Sequence, residues 1–175
     1  MGTYLFQYAQ DKDYVLGVSD EQSGAKVVLR KAQGTPYRFI LWDVDQDTGV
    51  ITLNSSGGQL AIDPQGGKVS PQNILTLAVV NSSSKSQRFD MVTKPLYILS
   101  VPEPGLCIDN QNRVTKDGNP IWLYEFNGSQ CAGYTTNFRF VTRIDTGEQI
   151  VSLHPDTLFE PASVTKTYST GAAWL

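Results

Sequence analysis

The chain has no long hydrophobic run and little clustered charge, and these absences exclude several classes of protein. No apolar stretch approaches the roughly 18 residues that a membrane-spanning helix needs. Its 14 Lys and Arg residues are scattered, and the formal net charge is −3, so nucleic-acid binding has little electrostatic support. The single histidine, His154, and two separated cysteines do not have the spacing of a zinc site. We therefore expect neither a bound metal nor a cofactor.

Helical periodicity is also missing before residue 142. Short β-rich runs, separated by turn residues, take its place and predict an all-β domain. The predicted strands number twelve. They are Leu5–Tyr8, Tyr14–Val18, Lys26–Leu29, Arg38–Leu41, Val50–Leu53, Gln59–Ile62, Ile74–Val80, Arg88–Val92, Leu96–Val101, Gly105–Ile108, Ile121–Phe126 and Phe138–Thr142.

An internal repeat of roughly 50 residues organises these strands. An aromatic-ended motif closes each repeat, with its last residues, Phe39, Phe89 and Phe140, 50 and 51 positions apart. A Leu-x-Val/Ile motif follows the same period, and so does a leucine in the third predicted strand of each repeat, here called the third leucine. The third leucines are Leu29, Leu77 and Leu123.

Three copies of a four-strand unit predict a β-trefoil over residues 4–142, with a C-terminal extension over residues 143–175. In such a fold one strand pair of each repeat builds a closed barrel, which removes free sheet edges, and the other pairs form hairpins that cap one end. We expect Phe39, Phe89 and Phe140 to point into the core at related positions.

The third repeat carries Cys107-Ile108-Asp109 and, after a turn, Gly118-Asn-Pro-Ile-Trp-Leu-Tyr124. This pattern resembles the repeat of the ricin B-type lectin family. The resemblance implies that Asp109 accepts hydrogen bonds from vicinal sugar hydroxyls and that Tyr124 stacks on the apolar face of the sugar. It also implies that the Asn137 amide binds the same hydroxyls. One aromatic plate with a few polar groups at its rim suits the chemistry of a sugar.

The third repeat also departs from the family pattern. Trp122 and Phe138 stand where the family has glutamine. Trp122 therefore provides either a second stacking surface or a side chain that fills the site. The family's second cysteine would fall near Phe126, whereas this chain has Cys131, so a Cys107–Cys131 disulfide stays an open question.

The other two repeats are weaker candidates for a sugar site. The second keeps Asp63 and Gln87, but Ala78 replaces the aromatic and Ser86 the asparagine. In the first, Ser19 replaces the aspartate and Arg30 the aromatic. We interpret both as structural repeats. Between the first two, the acidic run Asp43–Asp47 is predicted to be a polar hairpin connection rather than a calcium loop.

Residues 143–175 have two interpretations. In one they begin a fourth repeat, in which Trp174 corresponds to Trp122 at a spacing of 52 residues. In the other, the segment that leads to Pro161-Ala-Ser163-Val-Thr-Lys166 resembles the nucleophile segment of the penicillin-binding protein and serine β-lactamase superfamily. There Ser163 would be the nucleophile and Lys166 its base. In both cases we expect a further domain beyond this chain.

Together these features predict a non-catalytic carbohydrate-binding module whose site comprises Asp109, Trp122, Tyr124 and Asn137. Its expected partner is a carbohydrate or glycoconjugate. The alternatives are a targeting module at the front of a serine hydrolase, and a protein-binding trefoil such as a protease inhibitor. Two cysteines and three Asn-x-Ser/Thr sequons favour a secreted protein. The sequons begin at Asn54, Asn81 and Asn127.

Overall fold

A computed structural model describes residues 2–94 and 97–126 and the backbone of residues 138–142. Within these ranges the chain forms twelve strands. They are β1 (Gly2–Tyr8), β2 (Tyr14–Val18), β3 (Val27–Lys31), β4 (Trp42–Asp45), β5 (Val50–Leu53), β6 (Leu60–Pro64), β7 (Leu75–Val79), β8 (Phe89–Asp90), β9 (Leu99–Ser100), β10 (Leu106–Asn110), β11 (Ile121–Glu125) and β12 (Phe138–Thr142).

The first and fourth strands of each repeat form a barrel wall. β1 pairs with both β12 and β4, β4 pairs with β5, and β8 pairs with β9, all antiparallel. A single bridge between Val50 and Arg88 joins β5 to β8. The pairing of β1 with β12 brings the first and third repeats together in a continuous register from Tyr4↔Thr142 to Tyr8↔Phe138.

The second and third strands of each repeat form a hairpin. The three hairpins are β2–β3, β6–β7 and β10–β11, each with five paired positions. Three repeats of four strands, with one barrel pair and one hairpin in each, define a β-trefoil. The predicted fold class is therefore confirmed.

The third leucine of each repeat joins one hairpin to the next by the same pair of backbone hydrogen bonds. The N–H of Leu29 donates to the carbonyl of Asn119, and its carbonyl accepts from the N–H of Gly118. Leu77 bonds in the same way with Ala25 and Gly24, and Leu123 with Asn73 and Gln72. The 50-residue period thus marks positions that are equivalent in three dimensions.

Alternation along the hairpin strands places one face of each hairpin on the core. One hydrophobic cluster holds the barrel aromatics and the inward residues of all three hairpins. Members that come from the barrel include Phe6, Trp42 and Phe89. The inward hairpin residues include Leu16, Leu29, Ile62, Leu77, Ile108 and Leu123. The opposite faces of the hairpins carry a mixture of small apolar and polar side chains, such as Val15, Ala61 and Asp109.

The predicted strand Arg38–Leu41 is wrong. Tyr37–Phe39 form a turn of 3₁₀ helix, in which the N–H of Phe39 donates to the carbonyl of Pro36 and that of Ile40 to Tyr37. Proline fixes its own φ and so favours such a turn directly after it. The fourth strand of the first repeat begins only at Trp42, which is fully buried and donates its indole N–H to the Leu16 carbonyl.

This shift also corrects one of the three expected core aromatics. Phe89 is buried in β8, as predicted. Phe39 is only half-buried and packs against the edge of the core, while Trp42 fills the interior in the first repeat. The side chain of Phe140 lies outside the described residues.

Candidate functional site

The outward face of the third hairpin carries the residues predicted to bind sugar. Asp109 on β10 is directly opposite Trp122 on β11, and Cys107 is opposite Tyr124. Since side chains two apart on a strand share a face, these four side chains lie together. Their neighbours Leu106, Ile108, Ile121 and Leu123 point the other way, into the core.

Asp109 and Trp122 form a buried hydrogen bond. The indole Nε1–H of Trp122 donates to Asp109 Oδ2 at 2.9 Å. Asp109 is 7 % exposed and Trp122 9 % exposed. A carboxylate at this depth needs donors, because burying an ionised group without them is costly. Trp122 thus supplies a donor at the position where the lectin family has a glutamine.

Trp122 also stacks on Tyr124. The ring centroids are 5.3 Å apart and the planes differ by 18°. Tyr124 is half-buried, whereas Trp122 is almost enclosed. Of the two roles considered for Trp122, the structure therefore favours that of a side chain that fills space, here between Asp109 and Tyr124. Tyr124 is the ring of this pair that reaches the surface.

A pair of asparagine side chains, Asn110 and Asn119, holds the loop that joins β10 to β11. Asn110 is fully buried, and its Nδ2 donates to the carbonyl of Val114 and the hydroxyl of Tyr8. Its Oδ1 accepts from Asn119 Nδ2 at 2.7 Å. The Nδ2 of Asn119 also donates to the Gln111 carbonyl. Asn110 therefore fixes the loop, and the neighbouring Asp109 lies on the outward face beside Trp122.

The remaining predicted members of the third site fall where the structure is not described. Asn137 and Cys131 lie between residues 127 and 137, outside the described ranges. Cys107 is buried and packs with Leu99, Tyr97 and Phe126. The Asn137 contact and the Cys107–Cys131 disulfide therefore stay predictions.

The second repeat keeps a carboxylate and an amide in contact. Gln87 Nε2 donates to Asp63 Oδ2 at 3.1 Å, and both side chains are buried. Thr76 lies opposite Asp63 and Ala78 opposite Ala61, where the third repeat has Trp122 and Tyr124. The two large rings of the third repeat are thus replaced by two small side chains.

The first repeat has no comparable site, and the strand register corrects one detail of its interpretation. Val15 is paired with Arg30 and Gly17 with Val28, so Arg30 stands at the position of Tyr124, as predicted, whereas Gly17, and not Ser19, stands at the position of Asp109. A side-chain carbon at Gly17 would lie 2.5 Å from Arg30 Cγ and 2.7 Å from the Phe39 carbonyl oxygen. The Arg30 stem and the turn at Phe39 therefore cover this face.

Residues 2–94 and 97–126 contain no group of three His, Cys, Asp or Glu side chains arranged to hold a metal ion. The helical turns found there are all short, and none has the length and apolar character of a membrane span.

Solved structures with the same fold include sugar-binding proteins. The C-half of an earthworm R-type lectin, in complex with GalNAc, superposes with a TM-score of 0.64 at 15% identity and covers 82% of this chain and 100% of its own. A designed threefold-symmetric protein, ThreeFoil, gives a TM-score of 0.65 at 20% identity with the same coverage. At such identities the likeness establishes the fold.

Comparison with known sequences adds little to the assignment of the fold. No protein-family profile matches the chain. A cell envelope integrity protein of Brucella abortus, EipB, is 78% identical over 27 residues. That segment spans 15% of this chain and 10% of the Brucella protein. These comparisons lend no support to the penicillin-binding protein interpretation of residues 143–175, and Ser163 and Lys166 lie outside the described residues.

Proposed function

We propose that this β-trefoil is a non-catalytic carbohydrate-binding module and that its sugar site is the outward face of the third hairpin. The observation that carries the proposal is the grouping of Asp109, Trp122 and Tyr124 on that face, where Trp122 bonds to the carboxylate and stacks on the partly exposed Tyr124 ring. The fold it shares with an R-type lectin bound to GalNAc is consistent with this function.

Each residue has a defined task in the proposed site. Tyr124 offers a flat apolar surface to the C–H face of a sugar. A carboxylate has about four lone-pair sites, so Asp109 can accept the Trp122 indole N–H and sugar hydroxyls together. Trp122 orients both partners, since it bonds to one and stacks on the other. Asn137 would add an amide that binds the same hydroxyls.

The test is glycan-array screening followed by calorimetry on the best ligand with the variants Asp109→Asn and Tyr124→Ala. Asn at position 109 can still accept the indole N–H but removes the charge, whose hydrogen bonds contribute about 1.5–3 kcal/mol. We expect each variant to weaken binding by roughly tenfold or more. The matched control is Tyr37→Ala, because Tyr37 is an aromatic of the first repeat that is 59% exposed.

The control should bind as the wild type does, and unfolding curves should confirm that all variants are folded. A wild-type protein that binds no glycan on a broad array would refute the proposal and favour a trefoil that binds protein. Undiminished binding by Tyr124→Ala would place the sugar elsewhere on the molecule.

A further inference from the structure

Two of the Asn-x-Ser sequons lie in the described ranges, and the structure holds their asparagines in different ways. Asn54 begins the sequon that follows β5, and Asn81 begins the one that follows β7. The sequon at Asn127 lies outside the described residues. An attached glycan is bulky and hydrated, so the modified nitrogen must be accessible at the surface. The surroundings of each carboxamide nitrogen therefore decide which asparagine can carry a glycan.

The carboxamide of Asn54 is tied to a carboxylate. Its Nδ2 donates to Oδ1 and Oδ2 of Asp43, at 3.0 Å each, and Asn54 is half-buried. The Thr3 hydroxyl donates to the same Asp43 Oδ1 at 2.6 Å. A glycan on Asn54 Nδ2 would replace one of its two hydrogens and add a bulky group beside this carboxylate. It would therefore disturb contacts that join the end of β5 to β4 and β1.

The carboxamide of Asn81 is held through its oxygen instead. Asn81 is exposed, and its Oδ1 accepts the N–H of Ser83 at 3.0 Å, which closes a turn across the sequon. The carbonyl of Asn81 accepts the N–H of Ser84, and its own N–H donates to Gln87 Oε1. Among the described residues, Asn81 Nδ2 has no hydrogen-bond partner. The loop is thus fixed by its backbone, while the carboxamide nitrogen is left accessible.

We propose that Asn81 is a site of N-linked glycosylation and that Asn54 is not. The co-substrate is an oligosaccharide joined through its C1 atom to a lipid pyrophosphate. In the transfer, the bond from C1 to the pyrophosphate oxygen breaks, and a bond from C1 to Asn81 Nδ2 forms. The lipid pyrophosphate leaves with the electron pair of the broken bond, and Nδ2 gives up one proton to solvent. The proposal rests on the expected secretion of the chain and is independent of the sugar site in the third repeat.

The test is to express the full chain behind a cleavable signal peptide in insect cells and to map the folded, purified protein. Cleavage after Lys and Arg puts Asn54 and Asn81 into separate peptides, residues 39–68 and 69–85. Release of the glycans by a peptide N-glycanase in H₂¹⁸O turns each glycosylated asparagine into an ¹⁸O-labelled aspartate, so mass spectrometry gives the occupancy. We expect an occupancy at Asn81 that is roughly tenfold higher than at Asn54 or more, because only Asn81 has an accessible nitrogen.

Ser83→Ala and Ser82→Ala form a matched pair, because each removes one exposed hydroxyl from the same loop. Ser83→Ala destroys the sequon but keeps the N–H that bonds to Asn81 Oδ1, so it should abolish the modification of Asn81. Ser82→Ala keeps the sequon and should leave the occupancy unchanged. An unmodified Asn81 in the wild type would overturn the proposal. Equal occupancy of Asn54 and Asn81 in the folded protein would also overturn it, and that comparison needs no variant.

Discussion

At the scale of single residues, the turn between β4 and β5 depends on one carboxylate. Asp45 Oδ1 accepts from the N–H groups of Asp47 and Thr48, and Oδ2 accepts from the Thr48 hydroxyl at 2.7 Å. This arrangement confirms the prediction of a polar hairpin connection. The Thr48 hydroxyl is the main cause that lowers the pKa of Asp45 below its ordinary 3.8, and it outweighs the opposing effect of burial.

The direction of this pKa shift fixes the sign of its effect on stability. A carboxyl whose pKa is lower in the folded state stabilises the fold fully above its unfolded pKa of 3.8. That stabilisation is lost as the pH falls from 3.8 through the lower, folded pKa. We predict that Thr48→Val raises the pKa of Asp45 toward 3.8, as measured by the pH titration of its carboxyl ¹³C shift.

A matched control exists in the second repeat. Burial acts to raise the pKa of Asp90, but hydrogen bonds from the Thr93 hydroxyl and from the N–H groups of Thr93 and Val92 outweigh it, so the pKa is lowered. Thr93→Val should therefore raise the pKa of Asp90 and leave that of Asp45 unchanged. An Asp45 titration curve that is the same in Thr48→Val and wild type would show that the backbone donors alone cause the shift.

The residue scale also shows what sequence reasoning can and cannot find. The family spacing predicts that Asp109 and Tyr124 lie on one hairpin, and the register places them on one face, while their role in sugar binding stays a prediction. The difference between Asn54 and Asn81 was not identifiable, because it depends on the hydrogen bonds of the Asn54 amide to Asp43. A motif specifies residue types, whereas hydrogen-bond satisfaction is a property of the folded neighbourhood.

At the scale of elements, each hairpin is joined to the next by a residue with positive φ. This residue donates its backbone N–H to the carbonyl of the third leucine of another repeat. That residue is Gly24, Gln72 or Gly118, with φ of 88°, 63° and 82°. Glycine adopts this conformation without strain, whereas other residues pay roughly 1–2 kcal/mol for it. The second repeat therefore carries a strained side chain where the other two have glycine.

We predict that Gly24→Ala and Gly118→Ala each lower the free energy of unfolding by about 1–2 kcal/mol. A side-chain carbon at either glycine would meet no atom within 4 Å, so the cost is purely conformational. Gln72→Gly should not destabilise the fold, since relief of strain offsets the greater entropy of glycine in the unfolded chain. Urea denaturation at equilibrium measures all three, and a loss of stability in Gln72→Gly comparable to those of the alanine variants would contradict this account.

Element boundaries were predictable where turn residues separate the strands and failed where they do not. The ends of the hairpin strands were predicted to within two residues, because Gly, Asp and other turn residues lie beside them. The failure at Arg38–Leu41 arose because a run of apolar residues, Phe39 to Trp42, continues through the end of the 3₁₀ turn into β4. Periodicity cannot divide such a run, and the proline before it was the one local signal of a turn.

At the scale of the whole molecule, the fold closes where its first strand meets its last. β12 pairs with β1 over five positions, and β1 contributes the buried aromatics Tyr4, Phe6 and Tyr8 to the core. Without β12, the edge of β1 would lose its partner along this whole length. The threefold repeat predicted this closure from sequence, because a trefoil requires its last strand to return to its first.

Two shortened chains test whether residues 4–142 form an independent domain. We predict that residues 1–142 unfold cooperatively at the same urea midpoint as the full chain. Residues 1–137, which lack β12, should not fold at room temperature. Small domains have only about 5–15 kcal/mol of stability, and the loss of five paired positions beside three core aromatics removes much of it. Fluorescence of the buried Trp42 reports the transition.

A lower midpoint for residues 1–142 would make residues 143–175 part of the domain. Cooperative unfolding of residues 1–137 would show that the barrel holds without its closing strand.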